Sequence, residues 1–407
     1  MLVIIAMVFL WCGLVPVAGA FFLRRSWRIF RRRFDELCLQ PVLDYAACQN
    51  TPPEGGLYRF TGGFESLTGS SAEAHKGRVS PPDGQTLWIR SDTMTIPIAL
   101  EGAHTYMLPM PEGGESLGPF DPGEESPERI RWDRISTLTE GAKVFVGGLL
   151  TRLEDRWTFV STKEHPLLVI FYDGPDHTLA TRAIRAGRHQ NEYWNRITPY
   201  GFILNVFSQV FIAASVLPRP AFRLTVISAV IALFAPLLPL LPPGVLLTVL
   251  YRRLWWRARI FRAYRDLARL PLKYFRDFHQ DGSPTGLPVG QLPSGSLNVG
   301  RLPNGENYGA VWYEELPTGE DSPPLLISEQ RPRKGEGWYV FGVLSDGVPI
   351  RPRDPCAVFG AIPGEPEILA KRYTQSAYIL EITGGLFVVI GMVINILFIT
   401  MIFYLLQ

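Results

Sequence analysis

The chain has 407 residues, 47% of them hydrophobic and 19% charged, and its 40 basic and 38 acidic side chains leave a formal charge of +2. That charge fraction lies below the soluble average of about 25%, which excludes a disordered chain, an ordinary soluble enzyme and a small disulfide scaffold. The deficit is concentrated in four runs without Asp, Glu, Lys or Arg: Met1–Leu23, Tyr200–Leu217, Leu224–Tyr251 and Ile382–Leu406.

These runs hold 23, 18, 28 and 25 residues, and about 20 suffice to cross a hydrocarbon core. The first, residues 1–23, carries Ala18-Gly19-Ala20, which resembles a signal cleavage site. No positive charge precedes it, however, and Arg24, Arg25, Arg28, Arg31, Arg32 and Arg33 follow at once. A secretory signal has its charges at the other end. The expectation is an uncleaved anchor with its N-terminus outside, followed by a basic juxtamembrane segment over residues 24–50 on the cytoplasmic side.

Residues 51–198 then change texture. Short β-like runs separated by Gly and Pro (Leu57–Phe60, Thr86–Ile89, Thr95–Leu100, Lys143–Leu150, Trp157–Ser161, Leu167–Tyr172) read as a small barrel or sandwich. Pro109–Glu128 reads as a long exposed loop, and Leu179–Trp194 as a closing helix that leads into a second transmembrane helix over residues 200–217. Between Thr51 and Gly141 fourteen acidic residues face seven basic ones. An anionic membrane repels that excess within a Debye length, so this part is expected to stand its loop away from lipid.

A third transmembrane helix is expected over residues 222–250, where Pro236, Pro239, Pro242 and Pro243 each remove a backbone donor: either a kinked helix crosses, or Phe222–Leu241 crosses and Gly244 onward lies near the interface. Residues 251–280 follow as a basic amphipathic helix in which Arg259, Arg262, Arg265, Arg269, Lys273 and Arg276 form one stripe. With Trp255 and Trp256 at its start, it reads as lying on a membrane surface against anionic lipid headgroups. Nine basic residues from Arg252 to Arg276, against two in the Pro218–Arg223 link, put both large polar segments on the cytoplasmic side. A second β domain is expected over residues 281–376 and a fourth transmembrane helix over residues 382–406.

The fold class is therefore membrane α + β: four transmembrane helices bracketing two small membrane-apposed β domains. The second half repeats the plan of the first, with Trp338–Leu344 matching Lys143–Leu149 and Pro355–Ile362 matching Pro166–Asp173. The offset is 195 at Val146/Phe341 and 189 at Pro166/Pro355. Chance similarity of apolar strands is the alternative. Within the spans, Asn205, Gln209, Gly384, Gly391 and Asn395 read as helix contacts, because amides and small residues in lipid seek partners.

No residue set carries catalysis. Gly114-Glu115-Ser116-Leu117-Gly118 has the GxSxG form but is surrounded by prolines where a strand and a helix are required. His165, His177 and His189, twelve apart, have no metal spacing. Cys38, Cys48 and Cys356 show no CxxC spacing and read, with Cys12, as free thiols in a reducing compartment. No cofactor, metal or nucleic acid is expected. The expected partners are the lipid bilayer and either an unidentified protein or a second copy of the chain.

One resemblance fits this order. The anchor, the pattern Leu138, Gly141, Val144, Val146, Gly147, Leu149, the strand Trp157–Ser161, the proline-led strand Pro166–Tyr172, a helix and a second span resemble the GIDE-type, or beside-a-membrane, domain. The likeness covers Gly55–Leu217 and more faintly Gly282–Leu406, with a weaker likeness to the membrane-attached barrel of NfeD-type proteins. It implies a membrane-apposed recognition or regulatory module with no catalytic residues. In the mitochondrial ubiquitin ligases of that family the chemistry belongs to a zinc-binding RING, and only Cys356 follows Cys48 here, so ligase activity is not implied. The expectation is a multi-pass scaffold or regulator of the bacterial inner membrane, with a transporter or channel component and a membrane hydrolase or quality-control factor as alternatives.

Overall fold

The computed structural model describes residues 2–50, 55–68, 86–108, 128–129, 141–153, 156–188, 194–219, 223–234, 242, 244–275, 277–278, 284–285, 298–316, 325–326, 332–333 and 336–405. Residues 109–127 with Ser116, and His189 and Arg276, lie outside these. The chain forms two compact units, one of Met1–Ile29, Gln190–Phe261 and Thr374–Gln407, the other of Phe30–His189 and Arg262–Tyr373. In chain order the α-helices are α1 (Leu2–Val8), α2 (Val15–Cys38), α3 (Tyr45–Asn50), α4 (Leu179–Arg185), α5 (Thr198–Val216), α6 (Arg223–Leu233), α7 (Val245–Arg269) and α8 (Pro366–Leu405).

Three helices are long and apolar enough to cross a membrane: Val3–Cys38, Thr198–Val216 and Pro366–Asn395. The first contains a π-helical turn, Phe9–Leu14, just before Pro16, where the proline ring forces a carbonyl out of the ladder. Over the expected third crossing the described residues form two helices. α6 ends at Leu233, shortly before Pro236, and a new helix starts at Val245, just after Pro243.

A helix broken in an apolar setting exposes its last carbonyls and first N–H groups, each costing several kcal/mol if left without a partner. Both ends are met by asparagines from other helices. Asn205 Nδ2 donates to the Ala232 carbonyl near the end of α6 at 3.0 Å, and Gln209 Nε2 donates to Asn205 Oδ1 at 3.4 Å. At the other end, Gly244 N–H donates to Asn395 Oδ1 at 3.0 Å. Small residues set the approach of α8: a Cβ added to Gly391 would lie 3.4 Å from the Gly244 carbonyl, and one on Gly384 would lie 3.3 Å from the Tyr251 ring. On the first long helix the partners are the Trp11 indole of the π-helical turn, which donates to Ser208 Oγ at 3.1 Å, and the Pro16 carbonyl of α2, which accepts from Asn195 Nδ2 at 3.0 Å.

The other unit holds the sheets. The strands are β1 (Gly56–Thr68), β2 (Thr86–Arg90), β3 (Thr95–Ala99), β4 (His104–Leu108), β5 (Glu128–Arg129), β6 (Lys143–Leu153), β7 (Arg156–Val160), β8 (Leu168–Tyr172), β9 (Asp277–Phe278), β10 (Pro284–Thr285), β11 (Asn298–Arg301), β12 (Asn307–Tyr313), β13 (Leu325–Leu326), β14 (Trp338–Ser345), β15 (Val348–Ile350) and β16 (Gly360–Pro363). The order β1-β2-β3-β7-β6 closes on itself through β1–β6, giving a five-strand barrel that β8, β4 and β5 extend. Its core is the alternating inward set of Phe60, Leu87, Ile89, Ile96, Ile98, Val144, Val146, Phe159 and Phe171. The second sheet runs β11-β12-β14-β16-β13, with β15 on β14; β9 and β10 pair separately.

The two sheets share part of their pairing order. β1 and β12 lie antiparallel to β6 and β14. β7 and β15 complete hairpins with β6 and β14, β8 and β16 return antiparallel, and β4 and β13 run parallel to that return. The helix expected over Leu179–Trp194 is shorter, because Ala186 turns to an extended conformation and ends α4 at Arg185.

Replacing Asn395 or Asn205 by Leu is expected to lower the stability of the full chain in lipid bicelles by about 1–3 kcal/mol, the cost of a buried group left without its hydrogen bond. Ile203→Leu, at an exposed position, is expected to be silent in the same denaturant titration.

Candidate functional site: a buried ion pair beside two thiols

Arg59 stands in β1, where strand alternation would let a charged residue face solvent, yet it is 1% exposed. The chain around it explains why. Pro41–Leu43 runs beside β1, with the Arg59 N–H donating to the Pro41 carbonyl at 3.1 Å and the Leu43 N–H to the Arg59 carbonyl at 2.8 Å. The guanidinium points to the second sheet. Its Nε donates to the Gln40 carbonyl at 2.9 Å, and its two terminal nitrogens pair with the two oxygens of Asp354, one at 2.6 Å.

Asp354 lies between β15 and β16 and is itself 4% exposed. Its Oδ1 also accepts the Cys356 N–H at 2.9 Å, while the Cys356 carbonyl accepts the Tyr274 hydroxyl at 2.8 Å. The Cys356 thiol is buried against that of Cys38, the last residue of α2, and the two share a hydrogen bond. Beside them the Lys273 ammonium sits 3.6 Å from Asp35 Oδ1 and 5.1 Å from the centre of the Tyr274 ring.

The electrostatics follow from this packing. Burial works against the Arg59 charge, but Cys356 and the paired Asp354 outweigh it, and the guanidinium is held above its ordinary pKa. Burial also opposes the Lys273 charge, which the neighbouring Cys38 and Asp35 restore, again with a net upward shift. Cys356 is the reverse case. Burial pushes its thiol up, yet the Cys38 hydrogen bond, Arg59 and Lys273 together bring it below the usual thiol value.

A second charged layer surrounds α4. Arg182 donates to the Asp173 and Leu108 carbonyls, Arg188 pairs with Asp266 of α7, and Arg31 donates to the Ala186 carbonyl at 2.6 Å. Aromatic contacts join the helices to the sheets: Phe34 to Phe145 at 5.5 Å and Phe275 to Phe341 at 6.0 Å.

The basic stripe named in the sequence is divided among different surroundings. Arg259 is 4% exposed, its guanidinium 4.9 Å over the Trp255 ring, and Lys273 belongs to the thiol cluster. Arg262 and Arg265 are half-buried, Arg265 donating to Asp266 at 2.6 Å, and Arg269 is exposed. Asn205, Gln209, Gly384, Gly391 and Asn395 lie at the helix contacts described above. Arg59 and Asp354 escaped the sequence reading. The available signals were an arginine inside the β run Leu57–Phe60 and an aspartate held by prolines in Arg351-Pro352-Arg353-Asp354-Pro355. His165 is exposed and His177 half-buried, and no cluster of three metal-binding side chains occurs among the described residues.

No family model matches the chain, and no curated protein matches it at a significant level.

Replacing Arg59 by Met leaves Asp354 buried without its counter-charge and is expected to cost about 3–5 kcal/mol in denaturant unfolding. The double replacement Arg59→Met with Asp354→Leu is expected to recover most of that loss. A double variant no more stable than Arg59→Met would show that the pair is not the source of the cost.

Proposed function

We propose that the chain is a multi-pass membrane scaffold or regulatory protein, without catalysis of its own, that binds partners through its two β sheets. The observation that carries this reading is the Arg59–Asp354 pair, which joins one strand of the barrel to a turn of the second sheet within one unit. A platform built from two sheets suits the binding of a partner larger than either. The shared part of the pairing order supports reading the sheets as two copies of one GIDE-like module. The arginine asymmetry of the sequence supports a cytoplasmic position for both, in a bacterial inner membrane.

Anionic lipid headgroups are the second partner. Arg25, Arg28, Arg252, Arg253 and Arg257 are exposed and make no hydrogen bond or ion pair among the described residues. Each follows an apolar run directly, where a basic side chain near an anionic surface contributes about 1 kcal/mol. A transporter or channel component is the competing reading, favoured by the interrupted helix between Leu233 and Val245, since broken helices line many transport sites.

A photo-crosslinking residue at Val348 or Leu153, both exposed apolar positions at hairpin ends, is expected to yield a discrete adduct in native membranes. Adducts at neither position, together with solute flux in liposomes that is lost in Asn395→Leu, would replace the scaffold by the transporter. Changing the five arginines together to Gln is expected to reduce co-purified anionic lipid, counted by native mass spectrometry, at least severalfold.

A further inference from the structure

We propose that Cys38 and Cys356 form an oxidisable dithiol site that takes hydroperoxides and closes to a disulfide between α2 and the β15–β16 turn. The placement does not depend on the scaffold reading. One guanidinium, Arg59, binds the Gln40 carbonyl and the Asp354 carboxylate, and each cysteine is two residues from one of these partners. The two thiols are thereby brought from distant parts of the sequence to one buried point, where they share a hydrogen bond. Cys48 packs against the barrel core and Cys12 lies in the first apolar run.

The surroundings divide the roles. Arg59 is held beside Cys356 through Asp354, whose Oδ1 accepts both the guanidinium and the Cys356 N–H. Against the upward push of burial, the Cys38 thiol, Arg59 and Lys273 lower the Cys356 pKa, so Cys356 ionises first and Cys38 resolves. Both thiols are fully buried, so the oxidant that meets them is a small one such as hydrogen peroxide.

The chemistry balances with peroxide as the oxidant. The Cys356 thiolate attacks one peroxide oxygen, the O–O bond breaks, and hydroxide leaves, giving a sulfenic acid. The Cys38 sulfur then attacks the Cys356 sulfur, the S–S bond forms, and the sulfenic oxygen departs as water with the Cys38 proton. Two thiols lose two electrons in all, and one peroxide becomes two waters. A thiol reductant reverses the step.

The test uses the full chain in nanodiscs, treated with hydrogen peroxide, alkylated in denaturant, digested without reductant and mapped by mass spectrometry. The expected product is a Cys38–Cys356 linked peptide pair that disappears with dithiothreitol. Burial and Asp44 hold the Cys48 thiol above its usual value, so Cys356 is expected to react at lower pH than Cys48. Recovery of both Cys38 and Cys356 in alkylated form, at a dose that oxidises Cys48, would overturn the proposal. So would links from Cys48 to either of them. Lys273→Gln is expected to slow formation of the link severalfold, because it removes a cation that favours the Cys356 thiolate; an unchanged rate would overturn the thiolate mechanism. Because the linked pair is read in the unaltered chain, a variant that fails to fold leaves the test intact.

Discussion

A guanidinium can stay charged in a protein interior only where its donors are answered, and at Arg59 the answer comes from the other half of the chain. Asp354 supplies both oxygens and Gln40 a carbonyl. Such a pair adds little net stability over a well-packed apolar alternative. Its effect is on arrangement, because a barrel strand and a turn of the second sheet can meet in one geometry only if neither charge is to be left bare. Tyr274, Cys356 and the Pro41–Leu43 segment then inherit their positions from it.

The same rule governs the apolar helices, with a different remedy. An apolar surrounding offers no hydrogen bonds, so a helix broken near prolines needs partners from neighbouring helices, and neutral amides are the least costly to bury. Asn205 and Asn395 sit at the two ends of the break, one donating to a carbonyl and the other accepting from an N–H. A charged side chain in either place would add a desolvation cost that the single hydrogen bond could not offset. Charge is therefore used where a carboxylate can be brought to meet it, and amides are used where none is available.

Local pattern made much of this legible. The runs at Leu57, Thr86, Thr95, Lys143, Trp157 and Leu167 are strands in the structure because alternation and turn residues are properties of a few neighbouring positions. β4 was missed, since His104–Leu108 carries little alternation and is fixed by parallel pairing with β8. For the third span the sequence leaves a kinked helix and a crossing that stops near Leu241 both open, because four prolines in eight positions mark an interruption without placing it. The buried cluster was hidden for a deeper reason. Cys38 and Cys356 have no spacing that marks a pair, and Arg59 looks like the solvent-facing member of a strand until its distant partner is known. Helical spacing likewise put Arg259 and Lys273 on one stripe, although the first is buried against Trp255 and the second beside thiols.

The proposed duplication sharpens one point of register. Matching the two halves by sequence sets Val146 opposite Phe341. In the structure Val146 belongs to the barrel core, while Phe145 packs on Phe34 of α2 and Phe341 packs on Phe275 after α7. Under the proposed duplication, the face that meets the preceding helical segment pairs Phe341 with Phe145, an offset of 196, one more than the sequence match. A slip of one residue turns every side chain of a strand to the other face, so similar apolar character could not reveal it. The helix contact decides the register because it distinguishes the two faces of a strand whose sequence is apolar on both. Gly147 belongs to this same outer face: a Cβ there would come 2.7 Å from Leu37. Close seating of α2 on β6 therefore depends on a missing side chain as much as on the aromatic pair beside it.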